Sequence, residues 1–239
     1  MAVKTEKELS PDARKVWLKA FQAMELQNFG YVITLLQGVL REEPEFLQGR
    51  QLVREAEIKS TKGKRSFLSG LSAGSLKSGG LMKKDPKAAL EAAEKALEND
   101  PYNQQANIML RDAAMALGMP ETAAFALETI VRGDQKDTKA LHELAAHYYA
   151  NGNPQRAVDV YHRITQLNPA DLNAFKKGKD AAARASMTSG KWEEVAASGG
   201  KKDYRDLIKD KDEAISLEQK NRVVKSDEMI DQQLAELIE

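Results

Sequence analysis

Apolar positions return along this chain at helical spacing, and no stretch alternates with the period of a strand. After a polar opening, Ser10-Pro11-Asp12 offers an N-cap followed by proline at the first helical position, where its missing N–H costs nothing. Val16, Trp17, Ala20, Phe21, Met24 and Leu26 then predict one amphipathic helix, and Asn28-Phe29-Gly30 interrupts it as a turn. Val32, Ile33, Leu35, Leu36, Val39 and Leu40 predict a second helix ending before Pro44. Residues 45 to 60 predict a third, with Phe46, Leu47, Val53, Ala56 and Ile58 as its apolar positions. An Ala/Leu/Glu/Lys-rich helix from Lys87 to Asn99 is closed by Pro101. Further helical pairs follow over residues 104 to 136 and 138 to 169. Leu172 to Thr188 is a last single helix before a linker, with Phe175 and Ala182 expected to face inward.

The pattern repeats. Ala89, Ala123 and Ala157 recur at one fixed step of about 34 residues, and Pro101, Gln135 and Pro169 share it. Thr138 to Pro169 supplies Leu141-x2-Leu144-Ala145-x2-Tyr148, then Ala157-x3-Tyr161, then Pro169. On these residues the stretch resembles a tetratricopeptide repeat, a pair of helices with small residues at the close crossing and a late proline. Val32-x3-Leu36 and Pro44 mark residues 11 to 44 as a similar unit, and the resemblance extends over residues 86 to 187. It implies an all-α solenoid of helical hairpins, an α-α superhelix, and to this the chain adds a basic insertion and a C-terminal helical extension that depart from the repeat pattern. Such an array is expected to carry one continuous core. The arrangement is similar to certain bacterial tetratricopeptide-repeat proteins of unassigned function, a resemblance that names no partner.

Pro101 follows Pro44 by more than one period and less than two, which places an insertion between the first repeat and the central ones. Residues 59 to 84 hold Lys59, Lys62, Lys64, Arg65, Lys77, Lys83 and Lys84 with no acidic residue, among glycines and serines. Phe67, Leu68, Leu71, Leu76, Leu81 and Met82 leave open either a degenerate repeat helix or a basic loop with a short helix inside it. The expected divisions are 10–60, an N-terminal hairpin plus an extra helix; 61–85, the basic insertion; 86–188, the central repeats and a capping helix; and 189–239, a linker with Trp192 and a charged helix. In that last helix Val223, Ile230 and Leu237 keep a heptad spacing, but the matching positions between them are not consistently apolar. The stripe Val223, Ile230, Leu234, Leu237 is nonetheless a candidate surface for a homo-oligomer.

Charge and composition narrow the function classes. Thirty-six basic side chains balance 36 acidic ones, so no global field recruits nucleic acid or a membrane, and nucleic acid is not the expected partner. The chain has no cysteine, which removes disulfides, thiolate chemistry and zinc-finger sites. No apolar run is long enough to suggest a transmembrane helix, and the opening residues lack a signal-peptide core, so a cytoplasmic setting is expected.

Chemistry is sparse. His142 and His147 are five apart, which does not give the i, i+4 face that a metal requires, and His162 stands alone. Ser198-Gly-Gly-Lys201 fits S-x-x-K without its companion motifs, and the Gly-Lys pairs at 63–64 and 190–191 lack P-loop spacing. No catalytic residue, metal site or cofactor is assigned, and an enzyme is not expected. The resemblance instead implies a groove lined by the first helix of each pair: Gln105, Ile108, Asp112 and Met115; His142, Ala146 and Tyr149; Lys176, Asp180 and Arg184. The Lys/Asn/Arg clamp of chaperone-adaptor repeats is largely missing, since its places hold Trp17, Phe21, Lys139 and Glu143. The expected function is a scaffold or adaptor that binds a peptide or protein partner in the groove. The alternative is a nucleic-acid or anionic-surface binder acting through residues 59 to 84.

Overall fold

The structure, a computed structural model, describes residues 3–62 and 85–189. Expectations placed on Lys64, Arg65, Lys77, Lys83 and Lys84, on Trp192 and on the stripe from Val223 to Leu237 lie outside the described residues. The chain divides into two units, Met1–Ala182 and Ala183–Glu239. All elements below belong to the first, except the end of the last helix.

A short 3-10 turn, Glu6–Glu8, precedes nine α-helices among the described residues: α1 Pro11–Glu25, α2 Phe29–Glu42, α3 Leu47–Ser60, α4 Pro86–Leu97, α5 Gln104–Ala116, α6 Pro120–Gly133, α7 Thr138–Ala150, α8 Pro154–Leu167 and α9 Leu172–Ser189. No strand occurs among these residues. Local chemistry explains the starts. Ser10, Asp85, Asn103 and Asp137 each accept a hydrogen bond from the backbone N–H three positions on, satisfying a donor that the helix leaves free. Proline occupies the first position of α1, α4, α6 and α8. Between paired helices the turn needs a left-handed residue, supplied by Gly118 (φ 71°) and Gly152 (φ 78°). Gln27 (φ 58°) holds the same place in the first pair.

The repeat register places the insertion more closely than the proline spacing does. Arg50, Arg54 and Glu57 of α3 lie one repeat period after Val16, Ala20 and Ala23 of α1, so α3 is the first helix of a second repeat. Ala89 of α4 lies as far beyond Val32 as Pro101 lies beyond Pro44, so α4 is the second helix of that repeat. The extra residues therefore fall between α3 and α4 in the chain.

The expected continuous apolar core is interrupted at this repeat. One cluster joins α1, α2 and α3 through Trp17, Leu36, Phe46 and Val53; a second joins α4, α5 and α6 through Leu97, Leu110 and Ala123; a third joins α6 to α9 through Leu127, Leu141, Tyr161 and Ala181. Helix α6 serves the last two. Between the first and second stand buried charges. Glu94 of α4 accepts from Arg50 Nε and, at 3.0 Å, from Arg54 Nη2. Arg50 Nη1 reaches the Pro44 carbonyl (2.8 Å) and Thr122 Oγ1 of α6 (3.3 Å), and Arg54 Nη1 donates to Glu57.

A second expectation fails at α9. Phe175 and Ala182 are exposed, and the inward residues are Ala174 and Ala181. In each earlier pair the face bearing these positions is covered by a second helix, and no described helix covers it here.

Candidate interaction groove

The groove residues are carried by α5, α7 and α9. Three of the expected residues, Ala146, Tyr149 and Asp180, line one cavity of about 250 Å³ together with Tyr161 and Lys177. Its apolar walls are Ala146 and the two tyrosine rings, and an ammonium and a carboxylate stand on the α9 side. Ile108 of α5 is half-buried against the core formed by α6 to α9. Met115, at the far end of α5, is 44% exposed. Gln105, Asp112 and Lys176 lie outside the cavity lining, Gln105 and Lys176 being exposed and Asp112 half-buried. Arg184 belongs to the second unit.

Two contacts fix the groove helices relative to each other. Arg111 of α5 pairs through Nη2 with Asp112 (2.6 Å) and through Nη1 with Glu143 of α7 (2.8 Å), tying the first helices of neighbouring repeats. These carboxylates are partly exposed, so the pairs add little stability and serve chiefly to hold both charges in place. His142 Nε2 stands 2.8 Å from Asp171 Oδ2, and the other oxygen of Asp171 caps α9 by accepting from the Ala174 N–H at 2.9 Å. The Ala174 N–H first, and His142 second, hold the Asp171 carboxyl below its ordinary value. The ring of His142 packs near Tyr161, with centroids 6.1 Å apart. His142 thus anchors the start of α9 onto α7.

Behind the groove, the Tyr148 hydroxyl donates to Glu128 of α6, and Arg156 of α8 lies over its ring, 5.4 Å from the centroid. Burial and the neighbouring carboxylate push that hydroxyl well above its ordinary value, so it stays a donor.

Tyr161, Lys177 and Arg111 were not among the residues expected in the groove. Tyr161 reads as a packing residue and does pack, while one side of it reaches the cavity. Arg111 carried a usable signal, because it stands one repeat period before Ala145, where the repeat calls for a small side chain. Among the described members of the basic segment, Lys59 pairs with Glu55 at 2.7 Å and Lys62 is exposed. Among the described residues, no three His, Cys, Asp or Glu side chains are placed to hold a metal, and no helix is long and apolar enough to cross a membrane.

The family model described as tetratricopeptide repeat matches residues 81–148, which takes in α4, α5, α6 and most of α7. Among solved structures, the chain is similar to TTC0263, a thermophilic protein of this repeat class from Thermus thermophilus. That match has 17% identity and a TM-score of 0.36, and covers 74% of this chain and 84% of the other. A structure of MamA shares 16% identity at a TM-score of 0.36, covering 80% of this chain and 90% of the other. A second structure of MamA shares 17% identity at a TM-score of 0.35, covering 77% and 94%. No protein of curated function matches.

Proposed function

We propose, from the premise that this chain carries tetratricopeptide repeats, that it is a non-catalytic adaptor which holds an extended or helical peptide of a partner protein along α5, α7 and α9. The repeat class supports a protein-interaction scaffold in general. The cavity between Ala146, Tyr149, Tyr161, Lys177 and Asp180 is the observation that supports this site in particular. Its volume suits one side chain of a ligand, and its mixture of two aromatic rings with a few polar groups is the usual composition of such a pocket. Ionic groups on both sides, Arg111 and Glu143 toward α5 and Lys177 and Asp180 toward α9, would set the orientation of the ligand.

The experiment is peptide selection on the intact protein from a random displayed library, followed by affinity measurement on the selected sequences. Tyr149→Ala removes a cavity wall and Ala146→Arg fills the space. Each is expected to weaken binding about tenfold or more, the effect of losing an aromatic anchor worth about 1.4 kcal/mol or more. Lys15→Ala, on exposed α1 surface, is expected to leave affinity unchanged. Equal binding by all four proteins would exclude the groove.

A further inference from the structure

The last described helix presents a second surface, which adjoins the groove cavity at Tyr161. Position by position α9 repeats α7: Phe175, Gly178, Lys179 and Ala182 stand one repeat period after Leu141, Leu144, Ala145 and Tyr148. On α7 all four are buried in the core they share with Ala157, Tyr161 and Ile164 of α8. On α9 the same face is open. Phe175 is 55% exposed, and Lys179 and Ala182 are exposed.

With Val158, Tyr161, His162 and Thr165 of α8, that face of α9 lines a cleft of about 230 Å³. Three of those α8 residues, Val158, Tyr161 and Thr165, match Ala124, Leu127 and Val131 of α6, which lie one period earlier and are buried in the core that includes α8. The cleft is thus the repeat-equivalent of the seat into which α8 packs on α6 and α7. Among the described residues, the chain after α9 does not turn into it. Helix α7 ends at Ala150 and α8 starts at Pro154, whereas α9 runs through the equivalent positions, 184 to 188, and ends at Ser189.

The helices that fill equivalent seats specify the shape of an occupant. Three of them present Val32-x3-Leu36-x2-Val39, Ala123-x3-Leu127-x2-Ile130 and Ala157-x3-Tyr161-x2-Ile164, a compact residue followed by larger apolar ones at i+4 and i+7 on one face, while α4 carries Ala89, Ala93 and Ala96 at the same places. The charge of this seat differs from the others. Where α7 has Ala145, α9 has Lys179, whose ammonium lies 4.5 Å from the centre of the exposed Phe175 ring. Exposed Lys176 and Lys177 adjoin it, against Asp180 on the same helix and exposed Asp159 on α8.

We propose that this open seat receives an acidic amphipathic helix from a different protein, packed on α8 and α9 as α8 is packed on α6 and α7. The apolar face replaces water over Phe175 and Ala182, and an acidic side chain meets Lys179 at the edge, where partial desolvation strengthens the pair. The interaction does not depend on the groove, so either can fail alone.

The test uses the full chain and a labelled, side-chain-crosslinked helical peptide of the α6 sequence, Pro120–Gly133, whose Glu121 and Glu128 supply negative charge. Fluorescence anisotropy is expected to show saturable binding. Ala182→Arg blocks the seat and is expected to weaken it at least tenfold. Lys179→Glu is expected to weaken it as well, and to bind a peptide with both glutamates changed to lysine better than the unaltered chain does. Both replaced residues are exposed, so unchanged circular dichroism is expected to accompany the loss. The proposal is overturned by absence of saturable binding, by equal binding to the Ala182→Arg chain, or by loss through Tyr149→Ala alone, which would place the peptide in the groove. It is also overturned if binding appears only after removal of residues 203 to 239, or if the peptide merely converts a dimer to a monomer in light scattering.

Discussion

Gly49 shows how one residue sets a packing contact that hydrophobic spacing does not announce. A Cβ at this position would stand 2.5 and 2.7 Å from two ring carbons of Phe46. That ring cannot move aside cheaply, because it is fully buried and meets Trp17 edge-on with centroids 5.0 Å apart. The expected outcome of Gly49→Ala is a loss of about 1–3 kcal/mol, the usual cost of forcing extra volume into a filled core. Urea unfolding measures it, and a variant as stable as the parent would mean that the ring is free to shift. Phe46 was legible as apolar, yet the sequence placed it inside a helix; it is the residue just before α3, folded back over the first turn. Gly49 was not legible, since glycine in a helical run signals nothing about which neighbour needs its missing side chain.

At the scale of the element, α3 and α4 are joined by charge where the other pairs are joined by apolar contact. Their repeat positions were hidden for that reason, because Arg50, Arg54 and Glu57 do not look like residues that pack. All three are all but fully buried, and Arg50 Nη2, Arg54 Nε and Glu57 Oε1 have no hydrogen-bond partner. A buried cluster of this kind is costly to desolvate, and removing one member leaves another uncompensated. Burial, opposed by Arg54 and assisted by Glu94 and Glu98, pushes the Glu57 carboxyl up to about 8 from an ordinary 4.5. Between those values the folded chain keeps a proton that the unfolded chain releases, so the contribution of Glu57 is fully present below pH 4.5 and is lost as pH rises toward 8. The expected slope is at most about 1.4 kcal/mol per pH unit. Glu57→Gln cannot titrate, so its stability profile across that window should be flatter than that of the parent; parallel profiles would show that Glu57 is charged throughout.

Across the first unit, the repeat interval was legible because it is made of local, short-period signals: a cap, a small residue at the crossing, a bulky one four positions on. Those same signals predicted helices close to the observed α1, α2, α3, α4 and α9. The face of α9 was misjudged because inwardness depends on a neighbouring helix, which the spacing within α9 cannot supply. The groove lay between these cases. Its first helices were identifiable, but the repeat does not say which offsets converge, and only Ala146, Tyr149 and Asp180 of the expected set share one cavity. Lys177 entered that cavity instead of Lys176, a displacement of one position on the helix surface.

The central claim, that a partner peptide lies along α5, α7 and α9, is tested most directly by amide hydrogen exchange of the intact chain with and without a selected peptide. Bound peptide shields the groove and suppresses local opening of the helices that form it. The account predicts added protection over Gln104–Ala116, Thr138–Ala150 and the start of α9, with α1 and α2 unchanged. Protection gained in residues 59 to 84, with none in α5 or α7, would contradict it.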